Sequence, residues 1–169
     1  MGADVKAYLA SPFGFSEAGR HFYKERFVPM VESVGFEILD PWQLTPQSIL
    51  DAAIQLPFGP QQKEKWAETS RIIGKNNQIA IERCDILIAV LDGIDVDSGT
   101  ASEIGFAAGI GKPIEAYRGD FRMSADNIGS MVNIQVEYFI RKGGGVIVST
   151  VKDLERTLRL RYERLRNKK

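Results

Sequence analysis

The longest uninterrupted apolar run lies between Asp85 and Asp92, where Ile86-Leu87-Ile88-Ala89-Val90-Leu91 reads as a strand covered on both faces. It ends in an acidic, Gly-bearing loop and then a small-residue helix, Asp97-Ser98-Gly99-Thr100-Ala101-Ser102-Glu103-Ile104-Gly105-Phe106-Ala107. Four shorter apolar segments flank it. Val5 to Ala10 predicts a first strand, stopped by Ser11-Pro12-Phe13-Gly14, and Ser16 is placed to cap a helix running to about Val34. In that helix Phe22, Phe27, Val28 and Val31 form an apolar stripe. Phe36 to Leu39 is a second strand, ended by Asp40-Pro41. Pro113 to Tyr117 and Val146 to Ser149 follow as fourth and fifth, with Thr150 capping a terminal helix. Such alternation predicts a three-layer α/β/α sandwich with a five-stranded parallel sheet, flavodoxin- or Rossmann-like, in the order 2-1-3-4-5.

The connection from Gln43 to Arg83 is long and punctuated by Pro46, Pro57 and Pro60, with helical patterns over Lys63–Ile73 and Asn76–Arg83. Insertions at the carboxyl edge of a sheet commonly form substrate lids. Asp120–Asn133 reads as loop. With no repeat or low-complexity tract, residues 1–169 are expected to form one domain.

Charge and composition remove several classes. Lys plus Arg and Asp plus Glu number 22 each, so no bulk charge draws the chain to nucleic acid or an anionic membrane. The C-terminal Arg156, Arg159, Arg161, Arg164, Lys168 and Lys169 are interrupted by Glu155 and Glu163, as on a solvated helix face. A single Cys84 excludes an internal disulfide, and one histidine, His21, leaves little material for zinc or Ser-His-Asp schemes. No apolar run approaches membrane-spanning length and no leader pattern opens the chain, so a cytoplasmic location is expected.

Ligands of parallel sheets sit at the carboxyl ends of the strands, which puts the candidate chemistry in the loop after the third strand. Glu103 allows two readings. As an ionised carboxylate favoured by the helix start, it is suited to attack a sugar anomeric carbon; alternatively it only complements the helix dipole. Asp97 is either a second carboxylate for a sugar hydroxyl or an N-cap, with Ser98 and Gly99 making the turn between the two acids. Asp92 and Asp95 add acids at the strand end and mid-loop. A magnesium site would need phosphate-binding partners, and no Gly-rich P-loop accompanies them, so no metal is expected. Tyr8, beside the third strand in this order, is either a packing residue or a hydrogen-bond donor to Glu103. Phe13, Phe15 and Trp42 follow strands one and two, as core or as stacking faces. Gln43, Asn76, Asn77 and Gln78 carry amides able to read a base edge or to cap a turn.

Together these residues resemble the nucleoside 2-deoxyribosyltransferase family. The likeness runs from Tyr8-Leu9-Ala10-Ser11-Pro12-Phe13 through Cys84-Asp85 and Asp97-Ser98-Gly99-Thr100-Ala101-Ser102-Glu103-Ile104-Gly105. It continues through Gly111-Lys112-Pro113 to Asn133-Ile134-Gln135. The resemblance implies a cofactor-free, two-step exchange of the base of a 2′-deoxynucleoside for a free nucleobase. In it Glu103 is the nucleophile, Tyr8 positions Glu103, and Asp97 holds the sugar 5′-hydroxyl with Asn133 from a neighbouring subunit. Gln135, Phe13, Gln43, Asn77, Asp92 and Gly99 are implied as further substrate contacts. The shared site implies a homo-oligomer, built from dimers as a dimer, tetramer or hexamer, with neither nucleic acid nor membrane as partner.

The chain departs from the family at Asn77, where an aspartate often contacts the base. Related nucleotide N-hydrolases share the fold and nucleophile but bind a 5′-phosphate, which Asp97 would repel. A nucleoside or 5′-nucleotide N-glycosidase is therefore the second reading. A non-catalytic nucleotide sensor is the third, and the presence of both Tyr8 and Glu103 speaks against it.

Overall fold

The structure is a computed structural model and describes residues 5–168; Lys169 of the basic tail lies outside the described residues. Five parallel strands pair in the order β2-β1-β3-β4-β5, as the alternation predicts. They are β1 (Lys6–Ala10), β2 (Glu37–Leu39), β3 (Ile86–Val90), β4 (Ile114–Tyr117) and β5 (Ile147–Val148). β3 is central and buried throughout, which is why its sequence carries no polar alternation. The register sets Tyr8 of β1 beside Leu87 of β3 and Leu39 of β2.

Side chains alternate between two cores. Tyr8, Ala10, Leu87 and Ala89 point to the layer formed by α4 (Pro60–Arg83), α5 (Ser98–Gly109) and α6 (Ile134–Lys142). Ala7, Leu9, Ile86, Ile88 and Val90 point to the layer formed by α1 (Glu17–Phe22), α2 (Val28–Val34) and α7 (Val151–Arg166). Between α1 and α2 the helix runs as one π turn, Tyr23–Phe27, which keeps Tyr23 and Phe27 both buried. Ser16 and Thr150 cap α1 and α7 as expected, accepting from Gly19 N and Asp153 N.

Three helices differ from the expectation. α4 is one helix of 24 residues, continuous through Gly74, because that glycine stands in open space and costs the helix only its propensity. α3 (Gln47–Ile54) forms in what reads as a Pro-broken linker, packed against α4. α6 follows the expected loop directly, its start fixed by Asn133, whose side-chain oxygen accepts from Gln135 N and Val136 N.

Arg118 ties the carboxyl edge together. It is 3% exposed and donates to the carbonyls of Leu91, Gly93 and Arg122 and to Ser124 Oγ. The loop after β3 and the segment after β4 are thereby locked to each other.

Candidate active site

The order 2-1-3 makes the carboxyl end between β1 and β3 the point where chain direction across the sheet reverses, the usual place for a ligand crevice. A cavity of about 370 Å³ opens there. Ser11 comes from the end of β1 and Pro41, Trp42 and Thr45 from the corner after β2; Leu50 stands on α3, Ile73 and Asn77 on α4, and Asp97, Gly99, Thr100 and Glu103 at the start of α5. Phe15 stands at its mouth, edge-on to Trp42 with ring centroids 5.0 Å apart. The wall is mostly apolar with a few convergent polar groups, as small-molecule sites are.

Glu103 Oε1 accepts from the Tyr8 hydroxyl at 2.6 Å and from Asn77 Nδ2 at 3.4 Å. Both donors engage the same oxygen, so Oε2 is left to the cavity. Tyr8 is wholly buried, and burial together with the neighbouring Glu103 charge pushes its phenol pKa up, keeping it a proton donor. Burial also raises the Glu103 carboxyl to about 7; the Tyr8 bond opposes this, the Asp97 charge adds to it, and Asn77 opposes it weakly.

That direction corrects the expectation of a carboxylate stabilised by the helix start. α5 begins at Ser98 with Asp97 as N-cap, so Glu103 sits on the second turn, beyond the free N–H groups. Its environment is set by burial and by side chains reaching it from β1 and α4.

Asp97 is the N-cap of α5 and stands in the wall of the cavity. Its Oδ2 accepts from Thr100 N at 2.9 Å and from Thr100 Oγ1 at 3.3 Å, capping α5, while the residue also lines the cavity. Gly99, one turn ahead of Glu103, forms part of the same wall.

Other expected contacts lie elsewhere in the chain. Phe13 packs edge-on against Phe22 and Phe27 and is absent from the cavity wall. Gln43 faces a neighbouring cavity and donates to Asp40 Oδ2 at 2.8 Å. Asp92 turns toward the segment after β4, where its Oδ1 accepts from Gly119 N and Asp120 N. Within the chain these three side chains hold the fold around the site. Asn133 caps α6 and Gln135 is exposed beside it, neither lining this chain's own cavity. Among the described residues no three His, Cys, Asp or Glu side chains gather as a metal-binding group.

Ser11, Pro41, Thr45, Leu50, Ile73 and Thr100 line the crevice beyond the residues that the sequence points to. Thr69, Ile73 and Asn77 lie four apart on one face of α4, a spacing that would have paired Ile73 with Asn77 had the helix been read through Gly74.

Fold and site thus define an α/β protein with a tyrosine-held carboxylate at the floor of an aromatic-rimmed crevice. Residues 7–141 match the sequence profile described as nucleoside 2-deoxyribosyltransferase, and the chain belongs to that family. The 2-deoxyribosyltransferase of Bacillus psychrosaccharolyticus superposes with a TM-score of 0.60 at 25% identity, covering 91% of this chain and 96% of that one. A conserved protein from Enterococcus faecalis V583 gives 0.68 at 23% identity, covering 94% and 99%. The CMP N-glycosidase BcmB of Clostridium botulinum gives 0.54 at 20%, covering 92% and 98%. An uncharacterized protein of Schizosaccharomyces pombe is 36% identical over 90 residues, 47% of this chain. The match spans 43% of that relative's length.

Proposed function

We propose that the protein exchanges the base of 2′-deoxynucleosides through a covalent deoxyribosyl–Glu103 ester. The observation that carries this reading is the Tyr8–Glu103 pair at 2.6 Å in the floor of the crevice, with one carboxylate oxygen held and the other open to it.

In the first step Glu103 Oε2 attacks C1′ from the face opposite the base. The C1′–N bond breaks, its electron pair leaves with the base nitrogen, which takes up a proton from solvent, and an ester forms. In the second step a nitrogen of an incoming base attacks C1′, releases its proton to solvent, and returns the pair of the ester bond to Glu103. Two inversions keep the β configuration. A carboxyl near pH 7 suits both steps: it is ionised enough to attack, and its ester is a better donor than that of a strongly basic nucleophile. Tyr8 and Asn77 hold Oε1 so that the attacking oxygen is oriented before the sugar arrives. Asp97 Oδ1 accepts the 5′-hydroxyl. Trp42 and Phe15 flank the base.

Subunits associate so that Asn133 completes a neighbour's site. Supporting this, Phe121, Met123 and Ile128 are exposed on the segment after β4, with Ile94 exposed on the loop that Arg118 joins to it. Isolated in solvent, such apolar groups would be costly to leave together.

Incubating 2′-deoxyinosine or thymidine with the protein, with and without adenine, tests the reading. Adenine-dependent deoxyadenosine supports transfer. Deoxyribose released equally with and without adenine supports the N-glycosidase reading, toward which the likeness to the C. botulinum enzyme points. The Asp97 carboxylate in the crevice disfavours a 5′-phosphate dianion, so nucleoside is preferred to nucleotide.

A further inference from the structure

Asp40 is a second buried carboxylate near the crevice, 7% exposed, and it does not line it. Its Oδ1 accepts from the Tyr23 hydroxyl at 2.9 Å and from Trp42 N at 3.0 Å, and its Oδ2 accepts from Gln43 Nε2 at 2.8 Å. Its backbone carbonyl accepts from Gln43 N at 2.8 Å and Leu44 N at 3.1 Å. Every acceptor of Asp40 is therefore spent on folding the corner that follows β2. That corner delivers Pro41, Trp42 and Thr45 to the crevice wall.

Trp42 is 43% exposed and is not held by core packing alone. Phe15 meets it edge-on, and the Gly14 backbone lies so close that a Cβ there would come within 2.1 Å of the indole. Its backbone N–H is fixed by Asp40, and Asp40 by Tyr23. Tyr23 in turn is anchored by the π turn, where it stacks on Phe27 with centroids 6.0 Å apart. The π turn thus connects to the crevice through one buried hydrogen-bonded chain, Tyr23 to Asp40 to Trp42.

We propose that Asp40 and Tyr23 are a positioning pair that sets the Trp42 ring as the wall against which a planar base is held. They touch neither sugar nor Glu103 through a hydrogen bond, so they act on ligand affinity and leave bond-making unchanged. The identity of the ligand rests on the transfer reading above; the placement of Trp42 does not.

The test uses the full chain with Trp66→Phe, which leaves Trp42 as the sole tryptophan. Into it are placed Tyr23→Phe, Asp40→Ala and Asp40→Asn. Losing one hydrogen bond to a buried carboxylate is expected to raise KM for the deoxynucleoside about 5- to 10-fold in Tyr23→Phe, with kcat within about twofold. The acid limb of the pH profile, which reports Glu103, is expected to stay in place. Asp40→Ala should be worse, and Asp40→Asn should recover most of the KM, because asparagine Oδ1 still accepts from Tyr23 and Trp42 N. Acrylamide quenching of Trp42 should rise in Tyr23→Phe and Asp40→Ala and return in Asp40→Asn. A fall in kcat at unchanged KM, a displaced acid limb, or unaltered quenching in Tyr23→Phe would overturn the proposal. Tyr23→Phe carries the decision if Asp40→Ala does not fold. Should the wild type exchange no base, the transfer reading fails, and the quenching series still decides the placement of Trp42.

Discussion

Replacing Glu103 by glutamine should make the protein more stable, and only above the pH at which a free glutamate ionises. The side chains are nearly isosteric, and glutamine Oε1 can accept from Tyr8 and Asn77 as Glu103 Oε1 does. What changes is the charge. The carboxyl rises from 4.5, its ordinary value, to about 7 in the fold, chiefly through burial. Below pH 4.5 it is protonated folded and unfolded alike, and its titration costs nothing. Between 4.5 and 7 the unfolded chain ionises first, so stability falls as pH rises; above 7 the whole penalty is present. A raise of this size corresponds to about 3 kcal/mol. Urea unfolding followed by tryptophan fluorescence at fixed protein concentration reads it directly. Glu103→Gln should match the wild type near pH 4.5 and exceed it by about 3 kcal/mol at pH 8, a midpoint shift of about 1.5 M urea. Groups that do not feel the Glu103 charge titrate equally in both proteins and cancel in the difference. A gap independent of pH, or one that shrinks as pH rises, would refute the argument that burial raises this carboxyl. The same variant should have no exchange activity, the trade of stability for function common at active sites.

The remaining predictions concern activity. Tyr8→Phe removes a bond that lowers the Glu103 pKa, so the acid limb of kcat/KM should move up by about 1 to 2 pH units, with activity near pH 7 falling about tenfold and recovering toward pH 9. An unmoved limb would detach Tyr8 from the titration. Asp97→Ser keeps an N-cap but removes the like charge beside Glu103; the acid limb should move down and 5′-nucleotides should gain relative to nucleosides, measured as a ratio of kcat/KM values. An unchanged ratio would count against Asp97 as the 5′ contact. Glu103→Ala and Asn133→Ala should each be inactive alone, and mixing them should restore about one quarter of wild-type activity as mixed dimers form one intact site in two. No recovery under conditions where subunits exchange would place Asn133 outside the active site.

How much of this is legible without coordinates varies by element and by the range of the interaction. The run from Ile86 to Leu91, six apolar residues between two aspartates, reads as a central strand, and the alternation of strands and helices leads to the sheet order that the structure has. Caps at Ser16, Asp97 and Thr150 are local, decided by a side chain and the N–H two or three residues on, so they read directly from the chain. Gly74 divides the helical pattern of α4 in the sequence because propensity counts what glycine costs a helix, whereas packing of the flanking stripe against α3 and α5 decides whether that cost matters.

The sequence by itself determined the fold class, the order of the strands, the Asp97-to-Glu103 motif and its family. Only the tertiary structure decided which motif residues face one another. Periodicity says which face of an element is apolar; it does not say what stands across from that face. Tyr8 reaches Glu103 because β1 pairs with β3 in a register that brings α5 over it, whereas Phe13, Gln43 and Asp92, equally plausible in the chain, turn to the core or to neighbouring loops. The charge state of Glu103 was likewise beyond local reading. Helix position argues for an ionised carboxylate, but the solvent removed by α4, β1 and α5 together raises its pKa, and desolvation is a property of the assembled layers.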